Sequence, residues 1–146
     1  MDARIGKTKE QSMTSSAKVA GVLLLFKDEV LLLKRGIKGG ELEGYWSVPC
    51  GMVEENETAW SAASRELYEE TLIRTKYDLS FINKFKITKN REFYCYLYSI
   101  SERIRPNIIF AQDGHEHNDW DYFSIDNLPE PIDPDLKKTI LMTKEM

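Results

Sequence analysis

The sequence predicts an α/β fold, a three-layer α/β/α sandwich around a mixed β-sheet. Three observations carry that prediction. Runs of aliphatic, β-branched and aromatic residues recur along the chain as short strands. Two segments, one central (58–70) and one near the end (134–143), carry helical patterns instead. At 146 residues, with 42% hydrophobic and 30% charged residues and no internal repeat, the chain has the size and composition of one globular domain. Two helices and one set of strands then bury most apolar area with a helix on each face of the sheet.

Residues 1–17 are polar, rich in Ser, Thr and Lys, and without periodicity, so the expectation is a flexible N-terminal tail followed by a single domain over 18–146. Lys18–Phe26 and Val30–Lys34 read as a hairpin turning at Lys27-Asp28-Glu29. Gly36–Gly44 holds four glycines in nine residues and reads as a flexible loop, a candidate lid. Tyr45–Pro49 reads as a short strand leading to Cys50 and Gly51. Thr58–Glu70 reads as a helix capped by Asn56 or Glu57, with Trp60, Ala63 and Leu67 toward the core. Two strands follow between Tyr77 and Tyr98, turning near Lys89-Asn90-Arg91, then short strands at Asn107–Phe110 and Asp119–Ile125. Pro134–Thr143, with proline at its start, closes the chain as an amphipathic helix.

Composition excludes several classes. The longest apolar run, Val22–Phe26, is too short for a membrane helix and does not read as a secretory signal. Cys50 and Cys95 make neither a metal-ligand spacing nor a disulfide framework, so they read as free thiols of a cytoplasmic protein. A net charge of −4 argues against a nucleic-acid-coating surface.

The chemistry concentrates in residues 51–73. On a helix, Glu66 lies three residues from Glu69 and four from Glu70, so the three carboxylates share one stripe. Like charges at such spacing cost roughly 0.2–0.5 kcal/mol per pair, which a hard cation such as Mg²⁺ or Mn²⁺ among them would reverse. The pattern G-x5-E-x7-R-E-x-x-E-E, running from Gly51 through Glu57, Arg65 and Glu66 to Glu69 and Glu70, resembles the signature box of the Nudix hydrolases. The flanks fit as well: an aliphatic strand pair before the box, Trp46-Ser-Val-Pro-Cys-Gly leading into it, and Leu128-Pro129 after a late aromatic strand. One position departs, Leu72 standing where the box has glycine. Glycine there lets a helix end in the left-handed conformation, in which leucine carries a steric cost, so the helix is expected to terminate differently.

The resemblance implies an α/β/α sandwich and attack of water on a diphosphate bridge of a nucleoside diphosphate derivative. Carried over residue by residue, it implies metal ligation by Glu66, Glu69, Glu70 and the backbone carbonyl of Cys50, assistance from Glu57, and orientation of the glutamates by Arg65. It also implies that Glu116, in the loop before the late strand, serves as base or as an additional ligand. Alternatives are a catalytically weak Nudix-fold nucleotide sensor, if Leu72 distorts the helix end, and an RNA 5′-end pyrophosphohydrolase, which the net charge does not favour.

Beyond the box, Lys34-Arg35 and Lys84–Lys89 are local positive spots, some of which can meet substrate phosphates. Arg35, Tyr45, Trp46, Gly51 and Trp120 are the expected substrate contacts, with Phe93 a further stacking candidate. Cys50 has no histidine near it in sequence and reads as packing. His115 and His117 flank Glu116. A His-x-His pair can bind metal from a strand, but an oxygen-lined site does not need it, and the histidines read as polar loop residues. The expected partner is a small-molecule nucleotide, without membrane or nucleic acid; a homodimer is allowed but not indicated.

Overall fold

The structure is a computed structural model that describes residues 17–36, 42–88, 90–108 and 116–146. Of the expected tail, residues 1–16 lie outside the described residues while Ala17 already belongs to the first strand; most of the glycine-rich loop, Lys89, and the segment holding Ile109, Phe110, Asp113, Gly114 and His115 also lie outside.

Seven strands form one sheet: β1 (Ala17–Phe26), β2 (Glu29–Arg35), β3 (Trp46–Ser47), β4 (Cys50–Met52), β5 (Ser80–Thr88), β6 (Arg91–Ile100) and β7 (His117–Ser124). Among the described residues two helices accompany them, α1 (Ala59–Thr71) and α2 (Pro134–Met142), the latter running into a short 3₁₀ turn at Thr143–Glu145. The spine of the sheet runs β3-β2-β1-β6-β5, with β4 paired to β1 and β7 to β2. The sheet is mixed because β1 runs parallel to β6 along its whole length while the other pairings are antiparallel.

β1 sits at the centre and is buried on both faces, which is why Val22–Phe26 reads as a continuous apolar run. Alternate residues divide between two cores. Ala20, Val22 and Leu24 pack with Leu31, Leu33 and the α1 residues Ala62, Ala63 and Leu67. Val19 and Leu23 pack with Val30, Leu32 and the α2 residues Leu136 and Ile140 on the other face. The period of two along the strands thus builds both layers of the predicted sandwich.

Local structure corrects four expectations. α1 is capped by Thr58, whose Oγ1 accepts from the Ser61 amide at 3.1 Å, rather than by Asn56 or Glu57. Trp60 is 44% exposed, its indole N–H reaching the Leu79 carbonyl at 3.3 Å, so the core face of α1 is Ala62, Ala63 and Leu67. Asn107 and Ile108 are not in a strand. Leu72 does adopt the left-handed conformation, φ 63° and ψ 16°, so α1 ends as it would with glycine. The Thr71 hydroxyl completes that end, donating to the Leu67 carbonyl at 2.6 Å and accepting from the Ile73 amide at 3.1 Å, while the Asn107 amide donates to the Thr71 carbonyl at 2.9 Å.

Candidate active site

The box residues converge on a cleft of about 370 Å³ whose wall includes Glu66, Glu69, Glu70, Arg65, Cys50, Gly51, Arg35 and Glu116. Four elements deliver them. α1 supplies the carboxylate stripe, β4 brings Cys50 and Gly51 beneath it, β2 ends at Arg35, and Glu116 immediately precedes β7. The β2–β7 ladder shifts register at Lys34/Arg35, where Asp119 pairs with Lys34 but His117 with Arg35, leaving Asn118 extra. Such an irregularity re-aims the side chains beside it. The Gly36 amide then donates to the Glu116 carbonyl at 2.8 Å, fixing the backbone that carries Glu116.

Each carboxylate is held differently. Glu70 is only 2% exposed and its Oε1 accepts from the Cys50 amide at 2.9 Å, tying α1 to β4. The Glu66 carboxylate lies flush on Gly51, where an added Cβ would fall 1.7 Å from Glu66 Oε2. Glycine is required there for close approach, not for dihedral freedom. Burial, with the neighbouring charges of Glu69 and Glu116, pushes the Glu66 carboxyl up to about 7 despite the opposing pull of Arg65.

Arg65 pairs with the carboxylates around it. Its Nε donates to Glu57 Oε2 at 2.7 Å, Nη2 to Glu57 Oε1 and the Met52 carbonyl at 3.0 Å each, and Nη1 to Glu69 Oε1 at 2.9 Å. These bonds, the one to Glu57 first, hold the guanidinium charged and hold the Glu57 carboxyl below its ordinary range. Glu57 also accepts from the Glu54 amide at 2.9 Å and does not line the cleft. The expected ligand Glu57 is therefore placed as the anchor of Arg65.

Across the cleft, Arg35 Nη2 stands 3.5 Å from Glu116 Oε1, and its buried Nε has no hydrogen-bond partner among the described residues. The aromatic candidates are not brought in. Trp46 packs edge-on against Phe123 at 4.9 Å, Phe93 is fully buried and stacked on Phe85 at 5.1 Å, and Trp120 takes the Arg105 guanidinium on its ring at 5.2 Å. None of these, nor Tyr45, lines the cleft. Cys50 is buried, and burial raises its thiol to about 12, with the Glu70 charge adding to the rise, which removes it as a nucleophile at neutral pH.

Two residues escaped the sequence reading. Arg91, the first residue of β6, lines the cleft with Ile87 of β5. His117 is no loop residue: it opens β7, is 6% exposed, and has a buried Nε2 without a hydrogen-bond partner among the described residues. Burial, assisted by Arg35, lowers its pKa to about 4, so the ring is neutral at pH 7. The sequence places the start of this strand at Asp119, two residues downstream of where it begins. Continuing its pairing back to Arg35 would have buried His117.

This geometry has relatives. A curated RNA pyrophosphohydrolase of Rhodopseudomonas palustris is 26% identical over 137 residues, covering 78% of this chain and 80% of that protein. Among solved structures, the NUDIX domain of Shewanella oneidensis NrtR, complexed with ADP ribose, superposes with a TM-score of 0.72 at 18% identity, covering 92% of this chain and 90% of that one. A C. elegans Ap4A hydrolase superposes with a TM-score of 0.68 at 19% identity, covering 87% and 96%. The family model described as NUDIX domain matches residues 15–142, and with the box folded into one carboxylate-lined cleft the chain belongs to the Nudix hydrolase family.

Proposed function

We propose that the chain is a metal-dependent pyrophosphohydrolase that cleaves the diphosphate linkage of a nucleoside diphosphate derivative, with Mg²⁺ or Mn²⁺ as its cation. The observation that carries this reading is the convergence of Glu66, Glu69, Glu70 and Glu116 on one cleft. Such a concentration of carboxylate, with the Glu66 carboxyl raised by burial and by the neighbouring charges of Glu69 and Glu116, fits a hard divalent cation. Glu66, Glu69, Glu70 and the Cys50 carbonyl are the residues that would hold it. When bound, the cation supplies charge neutralisation of the diphosphate and a more acidic water.

The chain's own residues do the rest. Arg35, with its unpartnered Nε, and Arg91 offer donors to phosphate oxygens on the side away from α1. Arg65 and Glu57 keep Glu69 aimed into the cleft. The proton of the attacking water passes to whichever of Glu66 and Glu116 is not holding metal. The alternative of a weak nucleotide sensor is less favoured on one point, since α1 keeps its left-handed end and its carboxylate stripe with Leu72 in place.

A second reading, hydrolysis at RNA 5′ ends, is supported by the printed name of the Rhodopseudomonas relative and by Lys18 and Lys84, whose ammonium groups lie 5.8 and 5.7 Å from the Tyr94 ring centroid. Assaying nucleoside triphosphates, nucleotide sugars, dinucleotides and a 5′-triphosphorylated oligonucleotide with each cation separates the substrates. Under the best conditions Glu69→Gln and Glu70→Gln are expected to lower turnover by orders of magnitude without unfolding. Near-normal rates in either, or full activity in excess chelator, would sink the metal-dependent reading.

A further inference from the structure

Glu70, Glu116 and His117 each offer a ligand atom within 4.8 Å of the others. The carboxylates alone would say little, since acidic pairs are common. The imidazole adds an independent observation. It is more than nine-tenths buried, its Nε2 meets no hydrogen-bond partner among the described residues, and one ring nitrogen lies within 4.8 Å of an oxygen of each carboxylate. A buried polar nitrogen left unsatisfied is costly and calls for a ligand or another explanation.

We propose that His117 supplies a nitrogen donor beside Glu70 and Glu116, forming a mixed nitrogen and oxygen site that selects a first-row transition cation, Mn²⁺ or Co²⁺, over Mg²⁺. The inference rests on the metal-dependent reading above and deepens it. Imidazole binds transition cations far better than Mg²⁺, which favours carboxylate, carbonyl and water oxygens. Arg35 does not block the arrangement: it faces Glu116 through one oxygen, Oε1, at 3.5 Å, and the carboxylate has a second. The site also explains the register shift, which brings His117 opposite Arg35 at the cleft end of the β2–β7 ladder.

The test uses the full chain loaded with one equivalent of Mn²⁺ and pulsed EPR, which reads coupling to a coordinated imidazole ¹⁴N whether or not the protein turns over substrate. The expected result is a ¹⁴N modulation in the parent chain that His117→Gln abolishes. In binding titrations, that variant should lose about tenfold or more in Mn²⁺ and Co²⁺ affinity, while Mg²⁺ affinity changes less than about twofold. A parent protein that binds Mn²⁺ stoichiometrically without ¹⁴N coupling would overturn the proposal, even if His117→Gln fails to fold. Equal losses of Mg²⁺ and Mn²⁺ affinity would do the same. Failure of the chain to bind any divalent cation would instead remove the metal-dependent reading itself.

Discussion

Single atoms decide the site at Gly51 and Glu66. A methyl at position 51 has to displace the Glu66 carboxylate, because the distance left to Oε2 is 1.7 Å. Gly51→Ala is therefore expected to leave the fold intact but reduce turnover at least roughly a hundredfold, the scale of loss when a reacting group is misplaced by about an ångström. Circular dichroism with steady-state rates checks it, and a rate within a few fold of the parent would show that Glu66 can act from elsewhere. Glu66 also sets a pH dependence. Its carboxyl titrates near 7 folded against 4.5 in the open chain, so folding takes up a proton between those values and this residue's contribution declines as pH rises through that window. His117 acts in the opposite sense, its depressed pKa favouring the fold as pH rises from about 4 to 6.5. Comparing melting temperatures of the metal-free parent and Glu66→Gln cancels the histidine. The variant should gain on the parent from pH 4.5 to pH 7.5, and parallel curves would contradict the assignment.

At the scale of elements, the end of α1 tests how far a departure from the box matters. Leu72 bears a left-handed backbone that costs a non-glycine residue about 1–2 kcal/mol, while glycine there gives back part of that gain through its more flexible unfolded chain. Leu72→Gly should then stabilise the protein by about 0.5–1 kcal/mol, a rise of a few degrees in melting temperature. Turnover should stay within a few fold of the parent, since no ligand moves. A large gain in rate would mean that the native chain is a weakened enzyme. The helix boundaries were legible because alternation and helical period differ plainly in this chain, and Glu66, Glu69 and Glu70 followed from spacing alone. The cap was not: Thr58, Glu57 and Asn56 are all plausible side chains, and the choice fell to Thr58 because Arg65, eight residues on, claims both oxygens of Glu57. The aromatics misled for a related reason. Trp46 and Phe93 carry the same sequence signature whether they stack on a ligand or on Phe123 and Phe85, and only the sheet topology separates the two.

For the whole molecule, the cleft joins parts of the chain that meet only in the folded state, so cation binding is coupled to folding. Mn²⁺ at about a hundred times its dissociation constant should add about 2.7 kcal/mol, raising the melting temperature by roughly 5–10 °C. Glu70→Gln should lose most of that increment, and an unchanged melting temperature in the parent would place the cation elsewhere. His117 and Arg91 were illegible at this scale, since their importance comes from strand register and not from any local motif. The same long-range construction governs how the chain comes into being. The central strand β1 lies along β6 residue for residue from Ala17↔Arg91 to Phe26↔Ile100, with β2, β3, β4, α1 and β5 between them in sequence. A growing polypeptide emerging from the ribosome must therefore carry Val22–Phe26 unpaired on one edge until β6 is released, which is slow assembly of non-local strands and a window for aggregation. Truncated products that stop before Arg91 are expected to be chaperone clients or inclusion-body material, because their most apolar strand keeps β2 and β4 but lacks the parallel neighbour that covers its other edge.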